Sequence, residues 1–316
     1  MNRLLPAGAF CALLLQACGE PLVAPELIVN TRVLGARVES ATDPTRAWPA
    51  PAEGATVRWL LANPDGAPKV GWAFSLCTAK PVSRGLPLCE GSPFAHRMSE
   101  GTSTDAPQFE FAVPDLQSLG GATEVVVRAA FCTSGTPAFS KDGVDFASTR
   151  CPNATNEPLL ATTEIPLWLT DATNHVPTFD AVSFGFDGAP WTGITDAEEQ
   201  SVDCIAGERS IPTVPADGTT HDLALAIPTE LSESLPSSSA PGLDRETLQL
   251  SHYVTGGDLE RAFSSVSLDA PSAKVAVAWT APIQVDAGGR LLRFYFILRD
   301  GRGGTAWAKR TLCVVP

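Results

Sequence analysis

Methionine and tyrosine are nearly missing, two of each in 316 residues, and charged residues make up only 18%. Coiled coils and long-helix bundles draw about half their residues from Ala, Glu, Lys, Leu and Arg, so neither class fits. The 26 glycines and 27 prolines are abundant without a collagen-like period. Positive charge is also scarce: 22 Lys and Arg stand against 35 Asp and Glu, for a formal net charge of −13. A chain that acidic repels phosphate backbones, which excludes nucleic acid as a natural partner. Hydrophobic residues reach 44%, enough for packed cores and too much for wholesale disorder.

Catalytic signatures are missing as well. There is no His-Glu-x-x-His, Gly-x-Ser-x-Gly, Ser-x-x-Lys, phosphate-binding loop or Gly-x-Gly-x-x-Gly. Gly101-Thr102-Ser103-Thr104 continues with Asp105, where a nucleophile elbow needs glycine. His96, His175, His221 and His252 are scattered, with no helical i,i+4 pairing. A triad assembled across the fold is recognised by geometry alone, so an envelope hydrolase with a cryptic site stays open as an alternative.

The amino terminus does carry a signal. Met1-Asn2-Arg3 is a short positive region, and residues 4–15 form an apolar run too short to cross a bilayer, which takes about 20 residues. The run ends in Leu15-Gln16-Ala17-Cys18. This resembles the lipobox of bacterial lipoproteins. The resemblance implies a signal peptide over 1–17, acylation of Cys18 by fatty chains such as palmitate, and a tether over 18–23. Gly19, in place of Asp, implies the outer membrane, on its periplasmic or surface face. Two or more acyl chains hold stably where one only touches, at about 0.8 kcal/mol per buried CH₂.

Eight cysteines occur. Cys11 leaves with the signal and Cys18 takes lipid. The other six, Cys77, Cys89, Cys132, Cys151, Cys204 and Cys313, form an even set in a chain bound for an oxidising compartment. No Cys-x-x-Cys and no Cys–His spacing suggests zinc. The expected pairs are Cys77–Cys89, Cys132–Cys151 and Cys204–Cys313, with Cys77–Cys132 and Cys89–Cys151 as the alternative in the first half.

The body alternates as half-buried strands do. Val57, Trp59 and Leu61 share a face, as do Phe109, Phe111 and Val113. Val125, Val127, Ala129 and Phe131 lie opposite Arg128. Further on, Leu223, Leu225 and Ile227 alternate, then Val275, Val277 and Trp279, then Leu292, Phe294, Phe296 and Leu298 opposite Arg293, Tyr295 and Arg299. Long irregular stretches fall at about 80–107, 133–160, 188–220 and 228–246. The expected fold is all-β: two antiparallel immunoglobulin-like β-sandwich domains, 24–172 and 173–316.

At the carboxyl end, Trp279-Thr280-Ala281-Pro282 and Gly288-Gly289 precede a strand, and Asp300-Gly301-Arg302-Gly303-Gly304 follows it. This resembles the end of immunoglobulin-like modules of bacterial surfaces, where the Trp fills the core and the glycines make a hairpin. The layout as a whole, with a closing Leu312-Cys313-Val314-Val315-Pro316, is similar to uncharacterised lipoproteins of myxobacteria. The resemblance implies fold and address, and no activity.

Three constellations are candidate sites. Asp180, Asp187, Asp203 and Asp300 are candidate calcium ligands, against a favoured reading in which Asp187-Gly188 and Asp300-Gly301 are simply hairpin turns. Trp48 and Trp191 sit among prolines in loops and are candidate binding residues for sugar or protein, or fold back over their own domains. Arg293, Tyr295 and Arg299 form an outward stripe, the ordinary solvent face of an antiparallel sheet unless it binds something. The expected function is a non-enzymatic, lipid-anchored envelope protein presenting loops to a protein or glycan partner. The alternatives are the hydrolase and a calcium-stabilised adhesion module.

Overall fold

The structure is a computed structural model; it describes residues 23–80, 88–138, 149–152, 157–169, 174–207, 211–235, 245–266 and 272–316. Residues 1–22, on which the expected signal peptide, Cys18 and most of the expected tether fall, lie outside the described residues. In the first half the strands are β1 (Arg32–Ser40), β2 (Gly54–Ala62), β3 (Gly71–Lys80), β4 (Leu88–Met98), β5 (Gln108–Ala112), β6 (Glu124–Cys132) and β7 (Leu159–Pro166). They form an antiparallel sheet of order β1-β2-β5 and a second of order β4-β3-β6-β7. The two faces close on one core, where Trp59 of β2 stacks on Phe74 of β3 and meets Phe131 of β6 edge-on at 5.7 Å.

The second half has β8 (Ser183–Phe186), β9 (Ala189–Pro190), β10 (Thr213–Pro215), β11 (Thr220–Pro228), β12 (Leu248–Val254), β13 (Asp258–Leu259), β14 (Phe263–Val266), β15 (Ser272–Thr280), β16 (Arg290–Arg299) and β17 (Thr305–Val315). Its sheets have the orders β13-β15-β11-β8-β9 and β10-β17-β16-β12-β14. Apart from the parallel pair β10–β17, their ladders are antiparallel. The chain is therefore all-β and folds as two sandwiches. Both follow immunoglobulin-like order. β2 lies between β1 and β5, and β11 between β8 and β15; β3 pairs with β6, and β12 with β16. In the second core Trp279 meets Phe294 at 5.3 Å, and its indole N–H donates to the Gly256 carbonyl at 3.0 Å. Gly257 beside it has φ +72°, and a Cβ there would lie 2.5 Å from the indole nitrogen, so only glycine fits.

Alternation placed the inward residues, and burial departs from it in three places. Arg128 is buried rather than outward, because β6 is covered on both faces. Residues 88–98, part of an expected irregular stretch, form edge strand β4. Its Gly91 has φ +74° and the β3–β4 register shifts between Leu76 and Thr78. Pro93 is tolerated because an edge strand has an unpaired side.

The third departure joins the halves. The stripe on β16 does not face solvent: it is covered by the first sandwich. Tyr295 and Ile297 pack with Leu34, Ala62 and Ile28. Arg299 donates to the Leu34 carbonyl at 2.9 Å, and Arg293 to that of Pro64 at 3.0 Å. Alternation marks which residues share a face but not what covers it. The amino-terminal end also differs from the expected boundary. Leu27 pairs with Val254 of β12, and the Ile28 N–H donates to the Val254 carbonyl at 2.8 Å. This short stretch thus belongs to the second sandwich although the first follows it in sequence.

Candidate functional site

The six cysteines are paired as Cys77–Cys89, Cys132–Cys151 and Cys204–Cys313, with Cα separations of 5.5, 5.6 and 5.3 Å. The first couples β3 to its neighbour β4. The last ties the segment after the one-turn helix Asp196–Glu199 to β17. None occupies the cross-sheet position of antibody domains, where this chain places Trp59 against Phe131.

The two loop tryptophans are not exposed anchors. Trp191 is 2% exposed: its indole N–H donates to the Thr311 carbonyl at 2.9 Å, and its ring meets Phe294 edge-on. Trp48 is half-buried where the sandwiches meet. Its N–H donates to the Arg302 carbonyl at 2.7 Å, and the Arg302 guanidinium lies 4.8 Å from the ring centre. Both rings fold back onto the protein, which satisfies the indole and buries the apolar body together.

The four acids are far from acting as one set. Asp187 (φ +48°) and Gly188 form the β8–β9 turn, and Asp187 accepts from the Asp222 N–H and from His221 Nδ1. Asp203 accepts from the Ile205 and Ala206 N–H groups. Asp180 lies in an exposed turn. Asp300 is 2% exposed and accepts from the Arg302 and Gly304 N–H groups and from Asn174 Nδ2. Gly304 is required, since a Cβ there would lie 2.0 Å from an Asp300 oxygen. Burial pushes the Asp300 carboxyl up from its ordinary value, against the pull of those donors. Glu246 beside it is also pushed up by burial, and it shares Arg302 with Glu233. Among the described residues no three His, Cys, Asp or Glu side chains gather as metal ligands.

One Ser–His contact exists among the described residues, His252 Nε2 to Ser264 Oγ at 3.0 Å. His252 Nδ1 is buried without a partner, so no third residue orients the ring. Burial, helped by Arg261, lowers its pKa to about 4, and Arg261 also donates to Ser264. Neither residue lines any of the hollows described next.

Besides a hollow of about 400 Å³ beside Leu34, Trp59 and Arg299, two hollows adjoin one another. One, of about 290 Å³, opens between the sandwiches beside Leu60, Pro68, Tyr295, Trp307 and Lys309. The other, of about 830 Å³, lies across the first sandwich, beside Arg58, Trp72, Arg97, Ser103 and Gln108. Asp105 and Ala106 line both. Trp72 and Trp307, half-buried, are the tryptophans with indole N–H groups that are neither bonded to protein nor sealed from solvent. Sequence reasoning passed over them in favour of loop tryptophans. Trp72 shares the phase of Phe74 and Leu76 on β3, so alternation marks it as core, and only its place at the start of the strand leaves it half-buried. Clefts between domains with a few convergent polar groups are common ligand sites.

No family model matches the chain, and no curated protein matches it. Among solved structures, the collagen adhesin (CNA) from S. aureus aligns over 89% of this chain and 92% of that chain, at 8% identity and a TM-score of 0.16. A likeness that slight carries no argument, so the fold stands on the strand order above.

Proposed function

We propose that the chain is an exported, lipid-anchored binding module of the bacterial outer membrane with no enzymatic role. The carrying observation is a division among the cysteines. The six downstream thiols pair with one another, and Cys18, directly after Leu15-Gln16-Ala17, is left for acylation once Cys11 departs with the signal. Disulfides belong to oxidising compartments, which supports export. Two sandwiches packed through Tyr295 and Ile297 support a rigid presenter of surfaces. The partner in this reading is an envelope protein or glycan.

Fractionation of cells making the native chain and a Cys18→Ala variant tests the anchor. The native protein is expected in the outer-membrane fraction, carrying the mass of its acyl chains, and the variant in the soluble fraction. Equal membrane retention of both, or a native amino terminus without added mass, overturns the anchor. Reproducible labelling of one Ser or Asp by broad hydrolase probes overturns the non-enzymatic role.

A further inference from the structure

We propose that the two adjoining hollows form one track for a neutral oligosaccharide, with an inner subsite at Trp307 and Tyr295 and an outer one at Trp72. The inference rests on the reading of the chain as a binding module and names its ligand class.

The inner subsite carries an available polar group. Tyr295 is 4% exposed and lines the cleft between the sandwiches; its hydroxyl makes no hydrogen bond within the protein and is not sealed from solvent. A phenol that reaches the cleft can bond water or a ligand there. Burial pushes its pKa up, so the hydroxyl stays protonated and can both donate and accept, as sugar hydroxyls do. Trp307 beside it offers an aromatic body and a free N–H, the pairing that a pyranose meets with its C–H face and its hydroxyls.

Charge decides between ligand classes. Lys309 is ion-paired with Asp196 and Glu199, so the cleft presents fixed polar groups with little net charge. The two hollows together carry the carboxylates Glu100, Asp105, Glu110 and Asp196 against the cations Arg58, Arg97 and Lys309. With a net charge of −13 on the whole chain, polyanions are disfavoured. Volume decides between lengths. About 290 Å³ admits a ring or two at the inner subsite, and the shared wall of Asp105 and Ala106 leads into about 830 Å³ beside Trp72. Trp72 is held by stacking on Phe74 at 4.5 Å, so ordering it on binding costs little.

The test uses the full chain in a detergent without a sugar headgroup, with ¹⁵N-labelled tryptophan. The probes are cellotetraose, maltotetraose, N-acetylglucosamine tetramer, an oligogalacturonate and a proline-rich decapeptide. At least one neutral tetrasaccharide is expected to titrate below about 1 mM, shifting the Trp72 and Trp307 indole signals and leaving Trp191 and Trp279 in place. Trp307→Ala is expected to weaken that binding about tenfold and Tyr295→Phe about threefold. Should Trp307→Ala fail to fold, the signal map of the native protein and the Tyr295→Phe variant still decide. The proposal is overturned if no neutral tetrasaccharide binds at about 10 mM, if shifts fall on other tryptophans, or if only the oligogalacturonate or the peptide binds. Such failure leaves the Cys18→Ala fractionation untouched, because that experiment reads membrane retention and this one reads ligand uptake.

Discussion

Trp48 and Arg302 hold each other twice, through an N–H to carbonyl bond of 2.7 Å and a guanidinium 4.8 Å from the indole centre, although 254 positions separate them in the chain. One residue comes from the first sandwich and the other from the last hairpin of the second. Together with Asn174, whose amide reaches Asp300, they clamp the junction beside the cluster of Leu34 and Tyr295.

Trp48→Phe keeps most of the ring and removes the donor. The expected cost is about 1 kcal/mol in urea denaturation. Amide hydrogen exchange should quicken at Gly304 and Asn174 and stay unchanged at Leu225, in the interior of the second sandwich. Equal quickening at Leu225 would show a global loss instead of an opened junction.

Glu53 governs the acid limb of stability. Burial works against its charge, yet the Ala50 N–H, the Ser40 and Thr42 hydroxyls and the Thr42 N–H hold its pKa at about 2, and Arg46 pairs with it at 2.6 Å. A folded pKa below the ordinary 4.5 means stability that is present above that value and lost as pH falls toward 2. Glu53→Gln is expected to cost about 3 kcal/mol at pH 7, because it leaves Arg46 buried without its carboxylate. That difference should shrink toward zero near pH 2.

Asp300 and Glu246 pull the other way. Both are pushed up by burial, so their contribution is full below the ordinary carboxylate range and is lost as pH rises through the raised folded values. His252, whose pKa burial lowers to about 4, costs stability as pH falls below its ordinary 6.5, so the carboxyl contribution is read as a difference between native protein and Glu246→Gln. The native protein should gain stability relative to Glu246→Gln as pH falls from 7 toward the ordinary carboxylate range. A difference that stays constant or shrinks over that range would refute the assignment.

The disulfides differ in the chain they close. Cys204–Cys313 spans 109 positions and Cys77–Cys89 only 12. In the chain-entropy model their removal costs about 5 and about 3 kcal/mol. The paired Cys→Ser variants, compared by denaturant midpoint, should rank in that order.

Much of the fold was readable because its strands obey period two. Leu292, Phe294, Phe296 and Leu298 announce an inward face, and all are buried. Edge strand β4 was hidden because Cys89-Glu90-Gly91-Ser92-Pro93 has no alternation, and an edge strand needs little. The candidate site was harder. Tyr295 lay on the polar phase of β16, where pattern cannot separate solvent from a docked domain. Trp48 drew attention through its prolines, which mark a loop without saying whether its ring folds back. Trp307 sits between Ala306 and Ala308, in a stretch of β17 where small neighbours leave alternation with little contrast.

Leu27 and Ile28 grip β12, far along the chain, before the first sandwich begins. A tensile load applied at the amino terminus therefore enters the second sandwich through that clasp and bypasses the first, which hangs to the side as an unstressed lobe. Under traction the first sandwich keeps its shape until the clasp shears.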